Sequence, residues 1–561
     1  MANDVSRKSQ LNSETLDNTS NDIGQIKGAL GSVSIHEELS STSLLKKLVV
    51  FGAIAGPGLI VMVGDNDAGG IATYAQSGQS YGTTLLWVVF LLIPVLMIAQ
   101  EMVARLGAVT GIGHGKLIRE RFGKWWALFS VIDLFILNFL TLMTEFIGVS
   151  LGFSYFGISG YISVPLSALF LMAIAVSGSF RRWERFLYFF IVLTLIEFPL
   201  MFIAKPRITP IAKGLFMPGV LGGWNTSAIM MLIGIIGTTV APWQLFFQQS
   251  NVIDKRITPK WLVYERVDTF IGAILTNVAA IAIMVTTAFA FAHTKYFGNF
   301  SSALGVVNGL KHVLGKGAAS MFAVLLIDAA FIGAAAVSLS SSYAYGDTFG
   351  LKHSLHRKVK EAKGFYISYT IQIGLAAGLV LIPQMPLGLV TFSVQILAGI
   401  LLPSAIVFLL LLCNDKELLG PWVNALWLNI LSGIIVFTLI ILSLVITIDT
   451  IFPSFNAITI IMVCTILGIL VSAGILIYST LIVKKPGNTG SISANDQPKL
   501  NIRQKRQIQK ELRAKWSMPS LALIKRPART ALFQVSMIFL RGYLAIAVVA
   551  LIIKTVKTAM G

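Results

Sequence analysis

The stretch Gly64-Asp65-Asn66-Asp67-Ala68-Gly69-Gly70 interrupts the first long apolar segment of the chain. A helix that crosses a membrane rarely carries adjacent charged residues at its centre, because charges are costly in the hydrocarbon. Glycine accepts nonhelical torsions, and Asp and Asn side chains can hydrogen-bond to freed backbone groups, so the sequence predicts that the helix unwinds here. A bilayer tolerates unwound backbone only around a cavity lined by protein.

A second interruption, Gly237-Thr238-Thr239-Val240-Ala241-Pro242-Trp243-Gln244, lies in the sixth apolar segment. Pro242 has no amide hydrogen, so the carbonyl of Thr238 loses its helical partner and becomes available to a ligand. Two broken helices five spans apart are typical of transporters with inverted repeats and a binding site at the membrane midplane. The alternative is a loop between two interfacial helices together with a simple proline kink. The joint occurrence of the breaks favours a binding site.

The composition places the whole chain in a bilayer. Of 561 residues, 55% are hydrophobic and only 12% are charged, with a mean hydropathy of +0.78. Apolar runs of about 20 residues predict eleven or twelve spanning helices between Leu45 and Val483. The predicted divisions are a disordered N-terminal tail at 1–45, helices 1–5 at 46–204, helices 6–10 at 225–415, helices 11–12 at 416–483, a basic segment at 484–531 and an apolar membrane-associated helix at 532–561.

The net charge of +19 comes from loops and tails. Loops on one side of the predicted helices carry eighteen Lys and Arg residues, and the opposite loops carry six. The positive-inside rule therefore places the first set and the N-terminus in the cytoplasm. The tail has no signal-peptide core. Basic residues beside a membrane favour anionic lipid over nucleic acid as the partner. Arg541 leaves open whether the segment Leu532 to Ile553 spans the membrane.

Several short motifs in the first two helices carry a resemblance to a known family. They include Gly56-Pro57-Gly58, Asp67-Ala68-Gly69-Gly70 and Ala104-Arg105-Leu106-Gly107. These motifs are similar to those of the Nramp divalent-metal transporters, and the resemblance runs over about 47–415. It implies an all-α polytopic membrane protein with the LeuT-type fold. That fold has two inverted five-helix repeats, here with one or two additional C-terminal helices, and helices 1 and 6 are unwound.

The resemblance also nominates metal-binding positions. They are the side chain of Asp67, the positions Gly70 and Ala241, the carbonyl oxygens of Gly64 and Thr238, and the side chain of Gln395, with help from Asp65 or Asn66.

The family motifs Asp-Pro-Gly-Asn and Met-Pro-His are altered at two of these positions. Ala241 offers no thioether, the soft ligand that favours transition metals, and Gly70 offers no amide. We expect the lost side chains to leave room for a hydrated hard cation such as Mg2+, which takes oxygen ligands and releases water reluctantly. The pattern resembles that of the Nramp-related magnesium transporters. Mn2+ is a second expected substrate, and a nontransporting paralogue is the alternative.

Proton coupling is expected to be weak. Glu145 matches an acid of the family's third helix, but Leu142 stands where the resemblance places a second acid. The six His residues lie in tails, loops or a span end, and predicted spans nine and ten contain no Lys or Arg. Glu145 could serve as a proton site, as an organiser of the metal ligands, or as a neutral acid hydrogen-bonded between helices.

The predicted function is secondary transport of divalent cations, chiefly Mg2+, without strict proton coupling. The alternatives are a proton-coupled Mn2+ or Fe2+ transporter and, in another class, a transporter of an organic amine or amino acid. The sequence contains no zinc-protease, nucleophile-elbow or phosphate-loop motif, so we do not expect an enzyme. The metal is expected as transported substrate and not as a cofactor. The expected partners are metal ions and the bilayer of a bacterial plasma membrane, and the oligomeric state stays open.

Overall fold

The computed structural model describes residues 25–34, 43–451, 459–467, 470 and 502–526, with four isolated positions at 541, 542, 545 and 549. The predicted twelfth span and the C-terminal segment 532–561 lie mostly outside the described residues. The described part is almost entirely helical, with one two-stranded hairpin.

The described residues contain twenty helices. The first ten are α1 Leu44–Ile54, α2 Pro57–Val63, α3 Ala68–Tyr81, α4 Leu86–Thr110, α5 His114–Phe122, α6 Lys124–Tyr155, α7 Gly160–Val176, α8 Phe180–Leu193, α9 Glu197–Ile203 and α10 Ile208–Phe216. The others are α11 Thr226–Thr239, α12 Pro242–Asp254, α13 Leu262–Phe291, α14 Ala303–Val313, α15 Lys316–Phe349, α16 Lys363–Val380, α17 Leu387–Cys413, α18 Lys416–Leu419, α19 Leu426–Ile451 and α20 Ile502–Lys515. Short 3₁₀ turns lie at Thr194–Ile196, Pro259–Trp261, Gly420–Trp422 and Leu521–Leu523.

The apolar helices account for the predicted membrane protein. In the described part of the chain, eight helices are long and apolar enough to cross a bilayer, or nine if the bent pair α1 and α2 forms one span. The sequence predicted eleven or twelve. The predicted fourth span is α7, with only 17 residues, and the predicted ninth span is α16, which begins at Lys363 and carries Gln372. Both pack within the same helical bundle.

The predicted breaks are present. The first predicted span is divided into α1, α2 and α3, and α1 and α2 meet at an angle of 58°. The sixth is divided into α11 and α12, with Val240 and Ala241 between them. The long helices α6, α13, α15 and α17 pack against these broken helices. The fold therefore surrounds both unwound segments with other helices, as the hydrogen-bonding demands of unwound backbone in a membrane require.

The N-terminal prediction is wrong for ten residues. Gln25–Gly28 (β1) and Gly31–Ser34 (β2) form an antiparallel hairpin, although the sequence placed them in a disordered tail. Ile26 and Val33 are paired across the hairpin and are buried. A polar, Ser-rich sequence hides this element because its burial depends on helices that lie far away along the chain.

Part of the predicted basic segment is also ordered. Helix α20 lies against the turn at Gly420–Trp422, where the Arg513 guanidinium covers the Trp422 ring at 4.9 Å. Arg513 also donates from Nε to the Pro421 carbonyl at 3.1 Å. These contacts attach the basic helix to the connection between α17 and α19.

Candidate functional site

The first break is built by a helix cap. Helix α2 ends at Val63, and the amides of Asp65 and Asn66 turn back to the carbonyls of Met62 and Val63, each at 3.1 Å. Asp67 is the N-cap of α3, and its Oδ1 accepts from the Gly70 amide at 2.6 Å. Asp is among the best N-cap residues because its oxygen satisfies an amide that the helix leaves free. The same carboxylate that could hold an ion therefore starts the second half-helix.

The second break follows from proline. Helix α11 ends at Thr239, Val240 and Ala241 leave helical torsions, and Pro242 is the first residue of α12. Proline suits this first position since its missing amide hydrogen is not needed there. The Thr238 carbonyl loses its partner four residues on for the same reason.

The two breaks lie against each other. The Tyr74 hydroxyl of α3 and the Thr239 hydroxyl of α11 are 2.8 Å apart. On the other side, the Trp243 ring reaches within 3.4 Å of the position that a Cβ on Gly64 would occupy. The ends of the four half-helices therefore converge on one buried region.

The space expected beside Gly70 is already filled in the direction in which a side chain would point. A Cβ at this position would lie 2.8 Å from the Thr238 hydroxyl, 3.0 Å from the Asp65 carbonyl oxygen and 3.3 Å from Asp67 Oδ1. The expectation that glycine leaves room is wrong in this detail, because the Thr238 side chain lies where a larger residue would point. Glycine here brings an oxygen donor of α11 close to the first break.

Several polar atoms at the breaks are buried without partners. Within the described residues, no hydrogen-bond partner is found for Asp65 Oδ2, Asn66 Oδ1, Thr238 Oγ1 and Gln395 Nε2. Each of these side chains is at most 2% exposed. Buried polar groups are normally paired, and an unpaired one is costly. Three of the four atoms are oxygens, and the Gln395 amide can present its oxygen by rotating.

A chain of amides fixes Asp65. Gln244 donates to Asp65 Oδ1, and Gln100 Nε2 donates to Gln244 Oε1 at 3.0 Å. Asn66 is held by its Nδ2, which donates to the Thr276 carbonyl at 3.1 Å. Sequence reasoning did not single out Gln100, Gln244 or Thr276. The sequence offered only two hints of this chain of amides: Gln244 lies two residues after Pro242, and Gln100 lies within an apolar span.

Glu145 reaches the first break from α6. Its Oε2 accepts from the Ala68 amide at 3.1 Å, and its carboxyl group interacts with that of Asp67. Both acids press against Gly333 of α15, where a Cβ would lie 2.6 Å from Glu145 Oε2 and 2.8 Å from Asp67 Cβ. A glycine is needed here because the two acids occupy the space of a side chain. Two buried carboxyl groups in contact favour a cation or a proton between them.

Gln395 enters the region from α17 through close backbone contacts. Its amide lies directly over Gly69, and its carbonyl oxygen and Gly399 pack on Gly237 of α11. A side chain at Gly69 or Gly237 would overlap these groups. The glycines therefore let α17 approach both broken helices.

The structure brings together all the residues nominated from the sequence. They are Gly64, Asp65, Asn66, Asp67 and Gly70 at the first break, Thr238 and Ala241 at the second, and Gln395 and Glu145 from the neighbouring helices. In the described part of the chain, no three His, Cys, Asp or Glu side chains are placed to hold a metal together. An ion at this site would therefore depend on carbonyl, amide and hydroxyl oxygens beside the acids.

The chain is similar in sequence to known membrane proteins. Residues 58–449 match the family described as natural resistance-associated macrophage protein-like. The divalent metal cation transporter MntH of Pectobacterium carotovorum is 27% identical over 426 residues, which cover 74% of this chain and 97% of the relative. The protein of the same name from Bacillus subtilis is 25% identical over 413 residues, 70% of this chain and 92% of the relative.

Among solved structures, a manganese transporter from Eremococcus coleocola is similar in fold. The TM-score is 0.64 at 20% sequence identity, and the match covers 83% of this chain and 99% of the other. The predicted polytopic helical fold is confirmed by this likeness.

Proposed function

Because the chain belongs to the natural resistance-associated macrophage protein family, we propose that it moves divalent metal cations across the membrane, with Mg2+ as the principal substrate and Mn2+ as a second. The relatives named above are divalent metal cation transporters, and none is named as an enzyme. The metal is the transported substrate, held at the two helix breaks between the outward and inward conformations.

One observation carries this proposal. In the part of the chain that the structure describes, Asp65, Asn66 and Thr238 each leave a buried oxygen without a partner at the meeting point of the two breaks. Such oxygens are expensive to bury, and a cation that accepts their lone pairs offsets the expense. Asp67 adds a carboxylate, and the carbonyls of Gly64 and Thr238 are further candidate ligands.

The donor atoms favour a hard cation. Ala241 is the N-cap of α12, buried at 5% exposure, and supplies no sulfur where the family resemblance implies a thioether. An oxygen set suits Mg2+ and Mn2+, and a thioether would favour softer metals. Mg2+ usually keeps several waters, so it needs only one or two carboxylates from the protein.

The acid pair supplies the electrostatic attraction. Asp67 and Glu145 lie together in a buried region, and Asp65 lies two residues before Asp67. Negative charges crowded at low dielectric repel each other, and a divalent cation relieves that repulsion. The same charges argue against a substrate that presents a carboxylate, and an organic amine is the competing class of cargo.

Transport does not need protons in this proposal. We place the basic loops and the N-terminus in the cytoplasm by the positive-inside rule. A divalent cation that enters across 100 mV then gains about 4.6 kcal/mol, twice the single-charge value. The membrane potential alone drives inward flux. The alternative is proton-coupled Mn2+ transport with Glu145 as the proton site, and the observation that favours it is the interaction of the Glu145 carboxyl group with that of Asp67.

Uptake into proteoliposomes tests the proposal. Mg2+, Mn2+ and Ca2+ are offered outside vesicles with a fixed inside-negative potential while a luminal dye reports pH. We expect Mg2+ and Mn2+ to enter without acidifying the lumen. Entry of Mn2+ with protons and exclusion of Mg2+ would favour the second candidate. Inhibition by an organic amine that is itself accumulated would favour the competing class.

A further inference from the structure

The N-terminal hairpin is a small element that depends on the rest of the protein. It has four residues in each strand, and its two buried side chains, Ile26 and Val33, pack away from solvent. An isolated two-stranded hairpin is marginal in water, so it stays formed only while it is docked. The docking contacts therefore determine whether the hairpin is bound to the helices or released from them.

One set of contacts joins the hairpin to α1. Gly28 packs on the carbonyl of Ala53 so closely that a Cβ at Gly28 would overlap that oxygen. At Gly31, a Cβ would lie 3.5 Å from the Ala53 Cβ, an ordinary contact distance. Neither glycine has a positive φ, so the two sites differ only in the space beside them.

A second set joins the hairpin to α8. The Ala29 amide donates to Glu184 Oε2 at 2.5 Å, and Arg185 donates from Nε to the Ala29 carbonyl at 3.1 Å. Both polar groups of Ala29 are therefore used by α8. The hairpin therefore contacts both α1 and α8.

The hairpin also completes a buried ion pair. Glu184 Oε1 and Lys255 Nζ are 2.5 Å apart with both side chains fully buried, and Lys255 donates to the Ala55 carbonyl at 2.6 Å. Lys255 follows α12, and Ala55 lies at the bend between α1 and α2. Glu184 thus contacts Lys255 beside the helix bend through Oε1, and it accepts from the Ala29 amide of the hairpin through Oε2.

Polar groups without partners lie in the region next to this contact. Asp268 of α13 accepts from the amides of Gly56, Gly58 and Leu59 at 3.0, 2.8 and 3.1 Å and so holds the start of α2. Beside it, Gln248 donates to Thr269 at 2.9 Å, and within the described residues Gln248 Oε1 and Glu265 Oε2 have no partner. Such a polar interior is suited to a water-filled path that is closed in this conformation.

We propose that the hairpin Gln25–Ser34 is an autoinhibitory latch, which fastens α1 to α8 and keeps the path beneath α2 closed until the hairpin leaves. The description of the path as the ion's exit rests on the proposed transport function. The latch itself is a statement about conformation. Release of Ala29 from Glu184 frees α1 and α2 to move away from α13, and water then reaches Thr269.

Labelling of a buried cysteine tests the latch without measuring transport. Thr269→Cys is placed in the full chain with Cys413→Ser and Cys464→Ser, in nanodiscs, and its reaction with a water-soluble maleimide is timed. Gly28→Ala is compared with Gly31→Ala, because only the first methyl group overlaps Ala53. We expect labelling about five-fold faster in Gly28→Ala, the population shift produced by losing an interaction of modest strength. Equal rates in the two variants would overturn the latch.

A second pair of variants, with exposed side chains replaced, tests the latch if Gly28→Ala fails to fold. Arg185→Ala removes one hydrogen bond to Ala29 from an exposed side chain, and Arg182→Ala removes an exposed arginine of the same helix that contacts Ser177 instead. Faster labelling in Arg185→Ala alone supports the latch, and equal labelling contradicts it. If the protein transports no metal, these rates still decide the question, so the two proposals fail separately.

Discussion

The first and sixth spans are both broken, yet the two breaks offer an ion different groups. The first break, 64–67, contains three side chains with carboxyl or amide oxygens and ends at Asp67, the N-cap of α3. The second, Val240 and Ala241, has no polar side chain and is produced by Pro242. The first break therefore supplies charge, and the second supplies a backbone carbonyl and the Thr238 hydroxyl. Selectivity then depends as much on what the second break lacks as on what the first contains.

The largest effect is expected at the charged break. Asp67→Asn removes the carboxylate and keeps a good N-cap, whereas Asp67→Ala loses both. We expect both variants to lose uptake by at least about 100-fold, because loss of even an outer-shell partner of a metal ligand costs about 10- to 100-fold. Only Asp67→Ala should also lose about 1 kcal/mol of stability. Metal uptake and thermal unfolding in the same preparation separate the two effects. Normal uptake by Asp67→Asn would remove this carboxylate from the site.

The next effect is expected at the proline. Pro242→Ala restores an amide hydrogen that can donate to the Thr238 carbonyl and so extend the helix across the second break. We expect uptake to fall about ten-fold, because re-formed helix favours one conformation over the other. Pro94→Ala is the control, because Pro94 lies inside α4 and belongs to neither break. Equal uptake in the two variants would show that the second break is only a kink.

Selectivity provides a third test. Ala241→Met adds a thioether and should shift preference toward Mn2+ and Cd2+ by about ten-fold relative to Mg2+. Ala241→Leu adds similar bulk without sulfur and should leave the ratio unchanged. Adding Gly70→Asn should strengthen the shift only if Thr238 rotates away, since the new Cβ would meet its hydroxyl. Competition of each metal against Mn2+ uptake gives the preference for Mn2+ and Cd2+ over Mg2+. The same preference in Ala241→Met and Ala241→Leu would contradict the idea that a thioether at this position selects softer metals.

The smallest effect is expected at Thr238. Thr238→Val keeps the shape of the side chain and removes a hydroxyl that has no partner among the described residues. We therefore expect the KM for Mg2+ to rise about three-fold, near the value of one neutral hydrogen bond. Thr239→Val is the comparison, because its hydroxyl is already paired with Tyr74. That variant should lower stability with little change in KM. A larger KM change for Thr239 than for Thr238 would place the ion on the other side of α11.

Sequence reasoning reached the breaks because charge inside an apolar run and a proline beside it are local signals. It reached Asp67, Thr238 and Gln395 partly by resemblance, and the structure brings these residues together. It did not reach the amide chain from Gln100 through Gln244 to Asp65, since glutamine in a helix has no distinctive pattern.

Two further features depend on contacts distant in sequence. The hairpin contacts Glu184, which lies 155 residues after Ala29, so its polar sequence is read as a tail. The sequence shows that Gly70 has no side chain, and open space was predicted beside it for that reason. The sequence does not show that Thr238 fills this space. Predictions based on a missing group are weaker than predictions based on a present one, because packing decides what replaces it.

Calorimetric titration of the purified protein with Mg2+ tests the central claim most directly, with Asp67→Asn titrated in parallel. The account predicts one saturable Mg2+ site in the natural sequence, its loss in Asp67→Asn, and competition by Mn2+ for the same site. Absence of Mg2+ binding while Mn2+ or Cd2+ binds, or unchanged Mg2+ binding by Asp67→Asn, would contradict an oxygen site for a hard cation at the two breaks.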